Sequence, residues 1–270
     1  MTGSRWRAAI LSTLFAVSPF ATGQESPQTQ LPSLPGQGDG APASIPASEV
    51  LDYQIEWRLI PAGSAKLTWT AVPRPSAAAN ELRLHVESAG LVSRLYRVDD
   101  DYTAALGQNL CAQNSFIAAH EGARNKETRV TYDPQAHKAF YLEKDLNKNS
   151  TISHEVEIPP CVHDVLGALV VLRTLRVEPG KTVQIPISDG KKFVQAKVES
   201  QRREDLATPM GERKTIRYEV FLFDNVLFKR SGHLHIWLTD DNNRLPVQLQ
   251  VHLHFTIGTI TFKLEKEEKL

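Results

Sequence analysis

The sequence lacks the short motifs that mark most catalytic chains. It has no G-x-S-x-G turn for a nucleophilic serine, no P-loop, no glycine fingerprint of a dinucleotide fold and no H-E-x-x-H zinc pair. His120-Glu121 and His154-Glu155 begin the last pattern without its second histidine. Cysteine is scarce, with only Cys111 and Cys161, so spacing defines neither a zinc site nor a disulfide framework. Neither sign of charge is in excess, at 31 Lys and Arg against 31 Asp and Glu, and no basic run builds the stripe that nucleic acid would need. Long apolar runs are missing too: Ala8 to Val17 is too short to span a bilayer, and no second stretch approaches that length.

That short run has a different reading. Arg5 and Arg7 precede it without an acid, and Ala21 and Gly23 supply small residues three and one positions before Gln24. Basic, apolar and small segments in this order predict a secretory signal peptide over 1–23, cut between Gly23 and Gln24, and an uncleaved amphipathic anchor would not need that order. The first cysteine is Cys111, far from the cut, which argues against a lipid anchor. Loss of Arg5 and Arg7 leaves 29 basic residues against 31 acidic ones. The expectation is an exported protein of the periplasm or cell envelope, with no membrane span in the mature chain, no nucleic-acid partner and no cofactor.

Residues 24–48 carry prolines at 27, 32, 35, 42 and 46 and glycines at 36, 38 and 40, with too little apolar surface to offset the entropy of ordering. They read as a disordered spacer, and 49–270 as one β-rich domain large enough for a substantial core. Export to an oxidising compartment favours a Cys111–Cys161 disulfide; two buried thiols are the alternative, which geometry decides.

Within the domain, apolar side chains alternate with polar ones. Leu51, Tyr53, Ile55, Trp57 and Leu59 give a strand, Pro61-Ala62-Gly63 break it, and Ala65, Leu67, Trp69 and Ala71 resume it as the second arm of a hairpin. Leu82, Leu84 and Val86 make a third strand; Val130 with Tyr132 and Phe140 with Leu142 make two more around Asp133-Pro134. One helix is expected from about Val162 to Leu175, bracketed by Pro159-Pro160 and Pro179-Gly180, and its apolar residues nearly encircle it, so it should be covered. Beyond it, Val183, Ile185 and Ile187 lead through an Asp189-Gly190 turn to Val194, Ala196 and Val198, followed by strands at 216–222 and 234–238. The last pattern alternates from Leu245 to Ile257. A four-residue turn at 240–243 would set Leu238 against Leu245, Ile236 against Val247 and Leu234 against Leu249. At Gly258 the parity flips, marking a bulge or a tight reversal. The fold expected is mainly β: a strongly curved antiparallel sheet or open β-barrel around one apolar helix.

Several segments in order carry a resemblance: YQIEWRLIPAGSAKLTW (53–69), GLVSRLYRVDDDY (90–102), PPCVHDVLGALVVLRTL (159–175), VEPGKTVQIPISDGKKF (177–193), GHLHIWLTDDNNRLPVQLQV (232–251) and IGTITFKLEKEE (257–268). Together they resemble the bacterial exported domain-of-unknown-function family 3108 across nearly all of 49–270. The resemblance implies fold and location, and carries over no catalytic residue. The implied fold is similar to the open barrels of envelope lipoprotein carriers, in which a curved sheet cups an apolar cavity plugged by helical segments; folds host many functions.

Three groups of residues invite chemistry. His233 and His235 lie on one strand and His252 and His254 on the next, all on the face opposite the apolar one. The expected register puts His233 opposite Gln250 and diagonal to His252, a pair able to share Zn²⁺ or Cu²⁺, but with no third ligand of fixed spacing a solvated strand face is the better reading. Asp99, Asp100 and Asp101, with Asp240 and Asp241, offer carboxylates for sugar cleavage, yet both clusters sit where aspartate serves turns. Asp164 and Arg173 flank the helix, either as a cap and a surface charge or as buried polar groups lining a cavity. The reading that emerges is a non-enzymatic binder of an apolar or amphipathic ligand, with an interaction module for another envelope protein second and an envelope polymer hydrolase third.

Overall fold

The computed structural model describes residues 45–72, 79–254 and 258–270. The expected signal peptide, its expected Gly23/Gln24 cut and most of the expected linker lie outside the described residues, as do Phe255, Thr256 and Ile257 of the last alternating run.

Alternation builds an antiparallel meander. β1 (Ser48–Trp57) buries Leu51, Tyr53 and Ile55 and turns Asp52 and Gln54 to the other face. β2 (Ile60–Thr70), β3 (Asn80–Ser88), a short helix α1 (Gly90–Leu95), β4 (Val98–Leu106), β5 (Ala112–Glu121), β6 (Arg124–Asp133), β7 (Lys138–Asp145) and β8 (Ser150–Glu157) follow. After α2 (Val165–Thr174) come β9 (Thr182–Ser188), β10 (Phe193–Thr208), β11 (Gly211–Val220), β12 (Gly232–Thr239), β13 (Pro246–Leu253) and β14 (Gly258–Lys269). β14 pairs back onto β1, with Leu264 opposite Tyr53 and Phe262 opposite Ile55. The result is one 14-stranded sheet, β8-β7-β6-β5-β4-β3-β2-β1-β14-β13-β12-β11-β10-β9, antiparallel throughout. Mainly β with one apolar helix inside is the fold the alternation implied.

The sheet curls without joining its two end strands. Instead, the turn between β9 and β10 leans on β6 and β7: Tyr132 donates its hydroxyl to the Ser188 carbonyl at 3.0 Å, and Lys191 sits 3.6 Å from Glu143. Gly190, at φ +85°, lies so close to this wall that a Cβ would come within 2.8 Å of the Val130 methyls. Both the close approach and the left-handed turn require glycine here. On the far side of β9, His163 exchanges backbone hydrogen bonds with Pro186 and Ser188 in a short parallel bridge.

Three details depart from the sequence reading. The helix begins at Val165, because residues 162–164 are extended and occupied in that bridge. The β12–β13 register is moved by two residues. Thr239 N–H closes on Leu245 O, Leu238 pairs with Pro246, and a bulge after Trp237 sets Ile236 against Leu249 and Leu234 against Val251. His233 therefore faces His252 directly rather than Gln250. Strands β4, β5 and β8 carry weak alternation: β4 and β5 are rich in alanine, and β8 is exposed along almost its whole length.

Candidate functional site

The inside of the curled sheet has two unlike ends. At one of them α2 is the plug. Asp164 is its N-cap, accepting the amides of Leu166 and Gly167, each at 3.0 Å, and the Tyr102 hydroxyl as well. A Cβ at Gly167 would lie 2.7 Å from the second oxygen of that carboxylate, so glycine makes the room for it. At the other end of the helix Arg173 is buried and forks onto Glu49, with Nη1 to Oε2 at 2.6 Å and Nη2 to Oε1 at 3.1 Å. Its remaining donors reach the carbonyls of Arg244, at 3.1 Å, and Asn243, at 3.3 Å. Arg244 then donates to the Tyr218 hydroxyl at 2.8 Å. Both charges of the helix thus serve to fix it within the barrel.

Cys111 and Cys161 form a disulfide, with Cα atoms 5.1 Å apart, which ties the segment before α2 to the β4–β5 loop. The Ala112 amide bonds the Val162 carbonyl at 2.8 Å, and His163 Nδ1 lies 2.9 Å from the Leu110 carbonyl. Burial pushes the His163 pKa down, and the carbonyl, which can only accept, takes its hydrogen bond from Nδ1. Around the plug inward side chains of the neighbouring strands, such as Leu82, Leu106, Ile185, Val198 and Leu238, are fully buried.

Toward the other end the same inward parity continues with Val86 on β3, Leu234 on β12, Val251 on β13, and Ile260 and Phe262 on β14, but here the side chains are only half-buried. Pairing puts Leu234 beside Val251, Val251 beside Ile260 and Ile260 beside Trp57, one continuous apolar surface. The short α1 stands beside this end and packs its half-buried Val92 against the core. The concave face is thus fully buried around α2 and only half-buried toward the other end.

The remaining candidates separate. Asp99 and Asp101 point to the outer face and Asp100 to the inner one, so the three do not converge. Asp99 bonds Arg97 at 3.2 Å, Asp101 lies 2.9 Å from His85 Nδ1, and Asp100 accepts the His120 amide at 2.8 Å. Burial raises the Asp100 pKa, partly offset by that amide. Asp240 pairs with Arg203, while Asp241 accepts the amides of Asn243 and Arg244 and shapes the loop. A polar depression of about 420 Å³ beside Arg97, His120 and Arg124 has its arginines already bonded to Asp99 and Glu121. A second, of about 510 Å³, lies over the outer side of β6, β7 and β8.

The histidines do gather. His233 and His254 have ring centroids 5.5 Å apart, and His252 and His254 lie at 5.4 Å. Each is occupied otherwise: His233 Nδ1 meets Glu219 at 2.9 Å, His252 meets Thr259 and His254 meets Ser231. Burial and then the neighbouring Arg217 push the His235 pKa down. Among the described residues no three His, Cys, Asp or Glu side chains form a metal-holding group.

Sequence reading missed Glu49, the partner of Arg173 across 124 residues. A signal was present, since Glu49 stands at the same inward parity as Leu51, Tyr53 and Ile55. It missed Tyr218 and Arg244 for want of any pattern linking them to the helix.

The fold is similar to a crystallised β-barrel-like protein of domain of unknown function DUF1849 from Brucella abortus, at 9% identity, covering 84% of this chain and 99% of that one with a TM-score of 0.54. A putative exported protein with a YmcC-like fold from Bacteroides fragilis is more remote, at 7% identity and a TM-score of 0.37 over 85% of this chain and 100% of that one. No curated protein matches the sequence. Residues 52–265, from the first strand to the last, match the family described as protein of unknown function (DUF3108), and the chain belongs to that family.

Proposed function

We propose that this is a non-enzymatic cell-envelope protein that holds an apolar or amphipathic, lipid-like molecule in the unplugged end of its barrel. The observation that carries the reading is the half-buried surface of Trp57, Leu234, Ile260 and Phe262, inward-facing side chains that pack against the core without being fully covered, with half-buried Val251 between Leu234 and Ile260. Apolar concavities left exposed inside a rigid wall are where small apolar ligands bind. Export rests on the signal peptide over 1–23 with cleavage before Gln24. The disulfide supports it, because such bonds persist in oxidising compartments. No helix among the described residues is long and apolar enough to cross a membrane.

The test is native mass spectrometry of the protein purified from a bacterial envelope. A bound mass released on activation is expected, and its fragmentation names the ligand class. A clean mass, together with no uptake of a fluorescent apolar probe, would end the reading. A second reading has its own observation: β8 terminates the sheet, and its side chains are exposed almost throughout, an edge on which another chain could add a strand. Stoichiometric co-purification of an envelope protein, lost when proline replaces His154, would favour that module instead.

A further inference from the structure

The unplugged end has a rim, and the pairing identifies what stands on it. The β1–β2 turn, α1, the β5–β6 turn and the start of β14 lie together. Ser88 at the end of β3 pairs with Gly63, the Ala89 amide bonds Ala62 O at 2.7 Å, the Gly122 amide bonds Arg97 O at 2.7 Å, and the Arg58 amide bonds Thr259 O at 2.9 Å.

Exposed aliphatic residues concentrate there. Leu59 is 85% exposed, Leu95 69% and Leu91 60%, with Tyr96 and Ile60 about half exposed. α1 buries none of its residues, and Leu91 and Leu95, four apart, share one outward face. Stability does not account for Leu59. It sits at the tip of a tight turn with φ +69°, after Arg58 at φ +49°, a conformation that Asn-Gly adopts at less cost than Arg-Leu. A bulky apolar residue held in a disfavoured conformation and pointed at solvent calls for an apolar environment outside the protein.

The tips themselves carry only basic charge, while Glu87, Asp99 and Glu121 stand on the strand ends just behind them. Residues 58–63 and 89–97 contain Arg58, Arg94 and Arg97 and no acid. Arg58 lies over the Trp57 ring, and Arg97 reaches Asp99 just inside the strand. Leucines projecting from one turn and one face of a short helix, with arginine and tyrosine at their base, match the apolar layer and anionic headgroups of a bilayer surface.

We infer that this rim docks on the surface of an anionic phospholipid bilayer, with Leu59, Leu91 and Leu95 entering the headgroup boundary. The inference does not rest on a ligand in the barrel, because docking is read without one. The test is co-sedimentation of the full chain with vesicles of phosphatidylethanolamine and phosphatidylglycerol, against vesicles of phosphatidylcholine. The expected result is binding to the anionic vesicles that weakens with salt and falls about tenfold or more in the double variant Leu59→Asn/Leu95→Gln. Any contribution of the N-terminal segment is common to both chains. Leu59→Asn should leave the melting temperature unchanged or raise it, which separates lost docking from lost folding. Failure of the wild type to sediment with anionic vesicles would overturn the inference, and equal sedimentation of the double variant would overturn its assignment to this rim.

Discussion

The two ends of the barrel are built from the same alternating strands, yet they spend their polar groups differently. At the plugged end charge goes inside: Glu49, Arg173, Arg244 and Asp164 are buried, and Arg173 and Asp164 are held by several bonds each. At the unplugged end apolar side chains line much of the interior and also stand on the rim, with Asp100 among them on the inner face opposite Val86. A buried ion pair is a poor source of net stability, because desolvation costs about as much as the attraction returns. What it does provide is geometry. A ten-residue helix that is apolar nearly all round has little rotational preference of its own, and one arginine forked onto one carboxylate of β1 fixes its position.

The largest effect should come from breaking that lock. Arg173→Met leaves Glu49 charged and uncompensated in the core, and denaturant unfolding should report a loss of about 3–5 kcal/mol. The pair variant Glu49→Leu/Arg173→Met should recover most of it, because removing both charges also removes the desolvation cost. If the single and the pair variants are equally unstable, the lock is packing rather than charge.

How much of this contrast was legible follows from the interactions involved. Alternation is local, so the strands of β1, β2, β9, β10 and β14 and the apolar helix could be read along the chain. The β12–β13 register could not, because a wider loop and a bulge after Trp237 shift it by two residues, and bulges leave no clear mark in sequence. Asp164 could be placed before a helix, but its burial under Tyr102 and the pairing of Arg173 with Glu49 depend on which strands the curled sheet brings together. Glu49 was discoverable in principle as a charge at an inward position. The rim was not: Leu91 and Leu95 look like ordinary core residues until the fold leaves them outside.

The seam between β7 and the β9–β10 turn offers a smaller test. Burial pushes the Glu143 carboxyl up, but hydrogen bonds from Lys126 and Tyr141 and the charge of Lys191 outweigh it and hold the pKa at about 2, against an ordinary 4.5. A carboxyl whose pKa is depressed on folding adds stability above the unfolded value, and that contribution disappears as pH falls from 4.5 toward 2. The two lysines are partly solvated, which discounts the contribution to about 1–2 kcal/mol. Wild type and Glu143→Gln should therefore differ most at neutral pH and converge near pH 2. A gap that persists at the acid end would assign the effect to packing at the seam instead.

The sharpest form of the comparison lies within one strand. Leu234 and Leu238 are both leucines on β12 with inward side chains, four residues apart, the first half-buried near the rim and the second with no exposed surface near the plug. Glutamine at position 238 must bury an amide with no partner beside lost packing, costing about 2–4 kcal/mol. The same change at Leu234 can leave its amide in water and should cost about 1 kcal/mol or less. If the unplugged surface holds a ligand, the order reverses in a binding assay: Leu234→Gln, which barely moves the unfolding midpoint, should sharply reduce uptake of an apolar probe. Equal destabilisation by the two substitutions would mean that the interior is as tightly closed near the rim as it is around α2, and that no ligand surface distinguishes the two ends.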